Sequence, residues 1–176
     1  MSDLECFKSS IDQSFHLKNI GCVWQVKEGE TTIKFRASKD SFGFSLDKGA
    51  VKNRFGFFPK ADEDRLEHIA KICDGIIISQ YKQGICIFLI ELKSNYSGDY
   101  KKQLTNGYLF CQWLLALLKE YEYFEEKVKF VGLLHKSIRS NKQTSRHQPK
   151  LIKNISLPYF SIFQISQSKL LLHSFL

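Results

Sequence analysis

Ile85-Cys86-Ile87-Phe88-Leu89-Ile90-Glu91-Leu92-Lys93 reads as a strand that is apolar on both faces until Glu91. A continuous apolar run of this length is the pattern of a central strand covered on both sides. Side chains alternate along a strand, so Ile85, Ile87, Leu89, Glu91 and Lys93 share one face. Glu91 and Lys93 then stand about 6.5–7 Å apart along the backbone. Two charges end an otherwise apolar face. A buried charge is costly unless it is paired or binds a metal, so this strand end is the first candidate site.

The neighbouring segments build a sheet around it. Residues 72–79 predict a strand and residues 80–84 a turn, giving a hairpin that sets Asp74 beside Glu91. Residues 100–121 predict a long helix, with Leu104, Tyr108, Cys111, Leu115 and Leu118 as its buried stripe. Residues 128–134 predict the next strand. Upstream, residues 3–16 predict a helix through Leu4, Phe7, Ile11 and Phe15. Residues 22–27 and 31–36 predict two strands around Glu28-Gly29-Glu30. Residues 39–60 read as a long ordered loop whose Phe residues are mostly core, and residues 62–71 as a helix with acids in its first turn. Downstream, residues 135–154 read as a basic loop, and residues 157–165 and 169–175 as two last strands. The expectation is one α/β domain over residues 1–176, with an α+β mixed sheet flanked by helices.

Composition narrows the function classes. The chain has 176 residues, enough for one domain with its own core, and a formal net charge of +8. Residues 1–126 hold 17 Lys/Arg against 18 Asp/Glu, whereas residues 127–176 hold nine Lys/Arg and no acid. A basic C-terminal segment on a nearly neutral body points to a polyanion, most simply nucleic acid. No apolar stretch approaches the ~20 residues of a membrane span, and the start lacks the pattern of a signal peptide. Five cysteines without a C-x-x-C pair read as buried free thiols in a reducing cytoplasm. No phosphate-cradling glycine loop and no G-x-S-x-G elbow is present, which leaves ATPase and serine-hydrolase readings without support.

Two carboxylates and an ammonium at one sheet end suit phosphodiester hydrolysis. Carboxylate oxygens hold Mg²⁺, with Mn²⁺ as its substitute. The metal polarises a phosphoryl oxygen and acidifies a bound water. A lysine there stabilises the developing negative charge.

On these residues the chain resembles the PD-(D/E)xK nuclease superfamily, the restriction-endonuclease-like proteins. Asp74-Gly75-Ile76-Ile77-Ile78, a short turn, and Phe88-Leu89-Ile90-Glu91-Leu92-Lys93 carry the likeness. Cys73 stands where the signature has its proline. The resemblance implies a core of helix, three strands, helix and strand, to which residues 3–134 correspond. It implies that Asp74 and Glu91 are metal ligands and Lys93 the catalytic lysine. A polar residue from the following helix would join them, here Gln103, and a further acid, with Glu5, Glu63 and Glu67 as competitors. It implies a Mg²⁺-dependent endonuclease, on DNA rather than RNA, and a role in prokaryotic antiviral defence. A repair or junction-resolving nuclease is the rival enzyme, and a non-catalytic nucleic-acid-binding module the rival class.

Several other residues fit a phosphate-bearing substrate. Lys136, Arg139, Lys142, Arg146 and Lys150 recur along the basic loop, where cations give affinity without reading sequence. Lys101 and Lys102 open the long helix, where positive charge opposes the dipole unless an anion faces it. His68 and His135 lack partners at ligand spacing and read as structural, and His147, inside the basic loop, reads as a phosphate contact or a solvated loop residue. A chain this short has little room for a separate target-reading domain, so a homodimer or a partner protein is expected.

Overall fold

The computed structural model describes residues 2–46, 71–93, 99–136 and 157–176, with the backbone alone of Lys150 and Leu151. These residues form a mixed α+β fold with two mixed sheets and two α-helices. The strands are β1 (Lys18–Ile20), β2 (Val23–Glu28), β3 (Thr31–Arg36), β4 (Ser41–Phe44), β5 (Gly75–Tyr81), β6 (Gly84–Lys93), β7 (Val128–Lys136), β8 (Lys150–Leu151), β9 (Ser161–Ile165) and β10 (Lys169–Leu171). The helices are α1 (Asp3–Ser9) and α2 (Tyr100–Glu120).

The large sheet has the order β4-β5-β6-β7-β9-β8. β4, β5 and β6 form an antiparallel meander, and α2 then crosses over so that β7 lies parallel to β6. β6 is fully central: residues 85–92 are all buried, as the apolar run requires. Its two faces enter different cores. Ile85, Ile87 and Leu89 pack with Phe7 of α1 and with Leu104, Cys111 and Leu115 of α2. Cys86, Phe88, Ile90 and Leu92 pack with Trp24, Val26, Ile33 and Phe35 of the small sheet.

That second layer departs from the expected sheet flanked by helices. Both α-helices lie on one face, and the small sheet β1-β2-β3-β10 covers the other. β2 and β3 alternate, so their inward residues Trp24, Val26, Ile33 and Phe35 form an apolar face that must be covered. The large sheet approaches it closely at Gly75, where a Cβ would stand 2.7 Å from Val26 Cγ2.

Other boundaries shift for local reasons. α1 stops at Ser9 rather than running to residue 16. Ser9 Oγ donates to Glu5 O at 2.7 Å and Ser10 Oγ to Phe7 O at 2.6 Å, and Asp12 then caps a separate 3-10 turn at Gln13–Phe15. Ser41–Phe44, expected within a loop, is the edge strand β4, with Phe42 and Phe44 in the helix-side core. β5 begins at Gly75, three residues later than expected. The final segment expected as a strand splits into β10 and a 3-10 turn, Leu172–Phe175. The helix expected over residues 62–71 falls outside the described residues except for its last position. All five cysteines are free, and four are buried. No helix among the described residues is long and apolar enough to cross a membrane.

Candidate active site

The meander brings Asp74, Glu91 and Lys93 together. Gly75 pairs with Ile90, so Asp74, one residue before β5, arrives opposite Glu91. Asp74 is tied down by backbone: its Oδ2 accepts the Leu92 N–H at 2.6 Å. Glu91 has no solvent exposure, and Asp74 is 5% exposed. Lys93 Nζ lies 2.6 Å from Glu91 Oε1, with the lysine side chain 14% exposed. Glu91 therefore sits inside, Lys93 closes the end of the strand, and both lie on the face covered by α2.

The electrostatics follow from this burial. Desolvation, then the negative charge of Asp74, push the Glu91 carboxyl from 4.5 up to about 8, against the opposing pull of Lys93. Burial pulls the Lys93 ammonium down, but its bond to Glu91, with Glu91, Glu28 and Asp74 as negative neighbours, holds it above the usual lysine value. Neither Glu91 oxygen receives a well-directed hydrogen bond among the described residues, and Oε2 lacks even the ion pair that Oε1 has. A buried carboxylate oxygen left this way is costly, and a cation is one thing that satisfies it.

The donor set suits a hard divalent ion. Mg²⁺ commonly takes one or two carboxylates and keeps several waters, so Asp74 and Glu91 fit it. No group of three His, Cys, Asp or Glu residues converges as a metal site among the described residues. Glu63 and Glu67 lie outside those residues. Glu5 is excluded as the third acid. It is exposed, pairs with Lys8 at 3.7 Å, and belongs to a helix whose Asp3 caps the amides of Glu125 and Glu126. Those amides precede β7, whereas the candidate site lies at the other end of that strand.

Further cations gather at the same sheet end. Lys136 is the register partner of Lys93 on parallel β7, and its ammonium stands 5.8 Å from the centre of the Tyr100 ring. Lys101 and Lys102 are exposed in the first turn of α2. Gln103 is half-buried, one turn before Gly107. Gly107 is the point of closest approach: a Cβ there would lie 2.7 Å from Cys73 Sγ and 3.4 Å from Leu89 Cδ2. The helix thus rests directly on Cys73, just before Asp74, and on Leu89 of β6, two residues before Glu91. Arg139, Lys142 and Arg146 lie outside the described residues, as do His68 and His147. Lys150 begins β8, the outer strand beyond β9. His135 is buried on the opposite face from Glu91, with Leu92 as its register partner, and burial lowers its pKa.

No protein-family model, curated protein or solved structure matches the chain.

One acid escaped the sequence reading. Glu28 ends β2, two residues after Val26, and its charge bears on both Glu91 and Lys93. Alternation along Trp24, Val26 and Glu28 carries the signal. It becomes meaningful only once β2 is known to cross the sheet toward Gly75.

Proposed function

We propose that the chain is a Mg²⁺-dependent nuclease of the PD-(D/E)xK kind, hydrolysing DNA. One observation carries this reading. A fully buried carboxylate, Glu91, has neither oxygen in a hydrogen bond among the described residues and stands beside Asp74 and Lys93 at the ends of parallel strands β6 and β7. The chain order is α1, β1 to β6, α2, β7; with β1–β3 set apart in the small sheet, the remainder matches the helix, three strands, helix and strand that the resemblance implies.

Asp74 and Glu91 would hold the ion, which when bound supplies Lewis acidity and a water of lowered pKa. The chain's own residues do the rest. The Leu92 amide fixes one Asp74 oxygen and so orients the other. Lys93, paired with Glu91 in this structure, would offer its ammonium to a phosphoryl oxygen gaining charge. Lys136 adds a second positive charge alongside. Gln103, near the start of α2, would orient the attacking water. A role in prokaryotic defence follows from the resemblance.

A homodimer is part of the proposal. Leu109, Trp113, Leu117 and Tyr121 recur every four residues on the outer side of α2, and all are exposed. An apolar stripe of this kind suits pairing with a second copy, since large exposed apolar patches mark interaction sites. The second reading, a nucleic-acid-binding module that does not cleave, would leave Glu91–Lys93 as a structural ion pair.

The test is incubation of the purified protein with plasmid, linear duplex, single-stranded DNA, a four-way junction and RNA, in Mg²⁺, Mn²⁺ or EDTA. Metal-dependent cleavage of DNA is expected. Preference for the junction favours the repair enzyme. Binding without cleavage in any metal contradicts the nuclease reading.

A further inference from the structure

The outer face of the small sheet carries charge that the candidate active site does not use. Strand register arranges its outward residues in rows across the sheet. Lys18 pairs with Gln25, Gln25 with Lys34, and Lys34 with Lys169, which makes one cationic row across four strands. The next row is Ile20, Val23, Arg36 and Leu171. Lys27 stands beyond the cationic row, opposite Thr32. No outward position of these strands is acidic. Among the described residues, Lys18, Lys27, Lys34, Arg36 and Lys169 make no ion pair.

Two features of this face need an explanation. Like charges directly opposite on neighbouring strands repel, yet Lys34 and Lys169 occupy that arrangement. Large apolar side chains stand in water beside them: Ile20 is 76% exposed and Leu171 48%. Between the rows lies a concavity of about 480 Å³, which both rows line. That volume is in the range of sites for drug-sized ligands.

We propose that this face docks single-stranded nucleic acid, with the phosphates along Lys18, Lys34 and Lys169 and the bases against Ile20, Val23, Arg36 and Leu171. Strands are about 4.8 Å apart, so the cationic row spans about 14 Å, room for the backbone of a few nucleotides. The apolar row runs parallel to it, about 6.5–7 Å away. Phosphates relieve the repulsion between Lys34 and Lys169. Unstacked bases cover Ile20 and Leu171, and the Arg36 guanidinium offers them a stacking plane. A duplex keeps its bases stacked inside and would leave the apolar row wet. The small sheet lies on the opposite side of the large sheet from α2, so this surface is separate from the carboxylate site. Binding there does not depend on cleavage.

The test is fluorescence anisotropy with a labelled twelve-nucleotide oligothymidine strand and a duplex of equal length, in EDTA, over a range of salt. Replacing Lys34→Gln and Lys169→Gln together should weaken single-strand binding on the order of tenfold at 0.1 M salt. It should also flatten the salt slope by about 1.4, the contribution of two phosphate contacts. Ile20→Thr with Leu171→Ser should weaken single-strand binding while leaving the slope unchanged. Lys119→Gln, at the far end of α2, is the control and should change neither. Unchanged affinity and slope in the two-lysine variant would overturn the proposal. So would tighter binding of the duplex than of the single strand, or adsorption to phosphatidylserine vesicles without oligonucleotide binding. Cleavage persisting alongside any of these would leave the carboxylate site standing and remove only this face.

Discussion

Replacing Glu91→Gln removes a fully buried carboxyl, and the consequence is a measurable change in how stability depends on pH. The Glu91 carboxyl titrates near 4.5 in the unfolded chain and is pushed up to about 8 in the folded one, chiefly by burial and by Asp74. Between those values the folded protein holds one proton more than the unfolded protein. Stability must therefore fall as pH rises, by up to 1.36 kcal/mol per pH unit from this group. The penalty is absent below the unfolded value and complete above the folded one. From pH 5 to pH 8 it amounts to about 3–4 kcal/mol, a large share of a domain's net stability. The glutamine variant has nothing to titrate there. Urea denaturation in EDTA at pH 5, 6.5 and 8 should show the wild type losing about 3 kcal/mol relative to Glu91→Gln across the series. Mg²⁺ should act in the opposite sense. At a hundred times its dissociation constant it should add about 2.7 kcal/mol to the wild type at pH 8 and nothing to the variant. Its effect should shrink as pH falls below about 8, because the carboxyl must release a proton before it can bind metal. Parallel pH curves for the two proteins in EDTA would show that Glu91 titrates normally, and the reasoning from its burial would fail.

Two further outcomes test the frame around the site. Gly107→Ala should destabilise the protein by about 1–3 kcal/mol despite alanine's better helix propensity, because its Cβ would stand 2.7 Å from Cys73 Sγ. Cys73→Ala should recover part of that loss in the double variant, and urea titrations of all four proteins measure the coupling. Trp113→Glu should convert a dimer to a monomer in light scattering coupled to gel filtration, without change in the circular dichroism spectrum. A monomeric wild type would remove the homodimer from the proposal.

The elements around the site were legible because their patterns are local. β6 announces itself as an unbroken apolar run, and α2 by a stripe at helical spacing, and each boundary agrees with the structure to within a residue. The hairpin sets Asp74 beside Glu91 as expected, although its turn is tighter than residues 80–84, with Tyr81 paired to Gly84. What the sequence could not show is which faces meet. The inward residues of β2 and β3 are plainly apolar, but nothing local says that they cover Ile77, Phe88 and Ile90 rather than a helix. β4 was hidden because Ser41-Phe42-Gly43-Phe44 lies in a glycine- and phenylalanine-rich stretch without clean alternation. Counting along the chain shows the acid-free C-terminal third, but not that parallel pairing of β10 with β3 sets its Lys169 beside Lys34 from the other end of the sequence.

The central claim is that Asp74, Glu91 and Lys93 form a metal-dependent phosphodiesterase site. Its most direct measurement is the single-turnover cleavage rate of the preferred DNA substrate at saturating Mg²⁺, for the wild type and for Asp74→Ala, Glu91→Ala and Lys93→Ala. Each variant would first be shown folded by circular dichroism and able to bind the same DNA in EDTA. The account predicts a rate at least about a hundredfold lower in each variant, as expected when a group stabilising transition-state charge is removed. Cleavage at the wild-type rate in all three would contradict it.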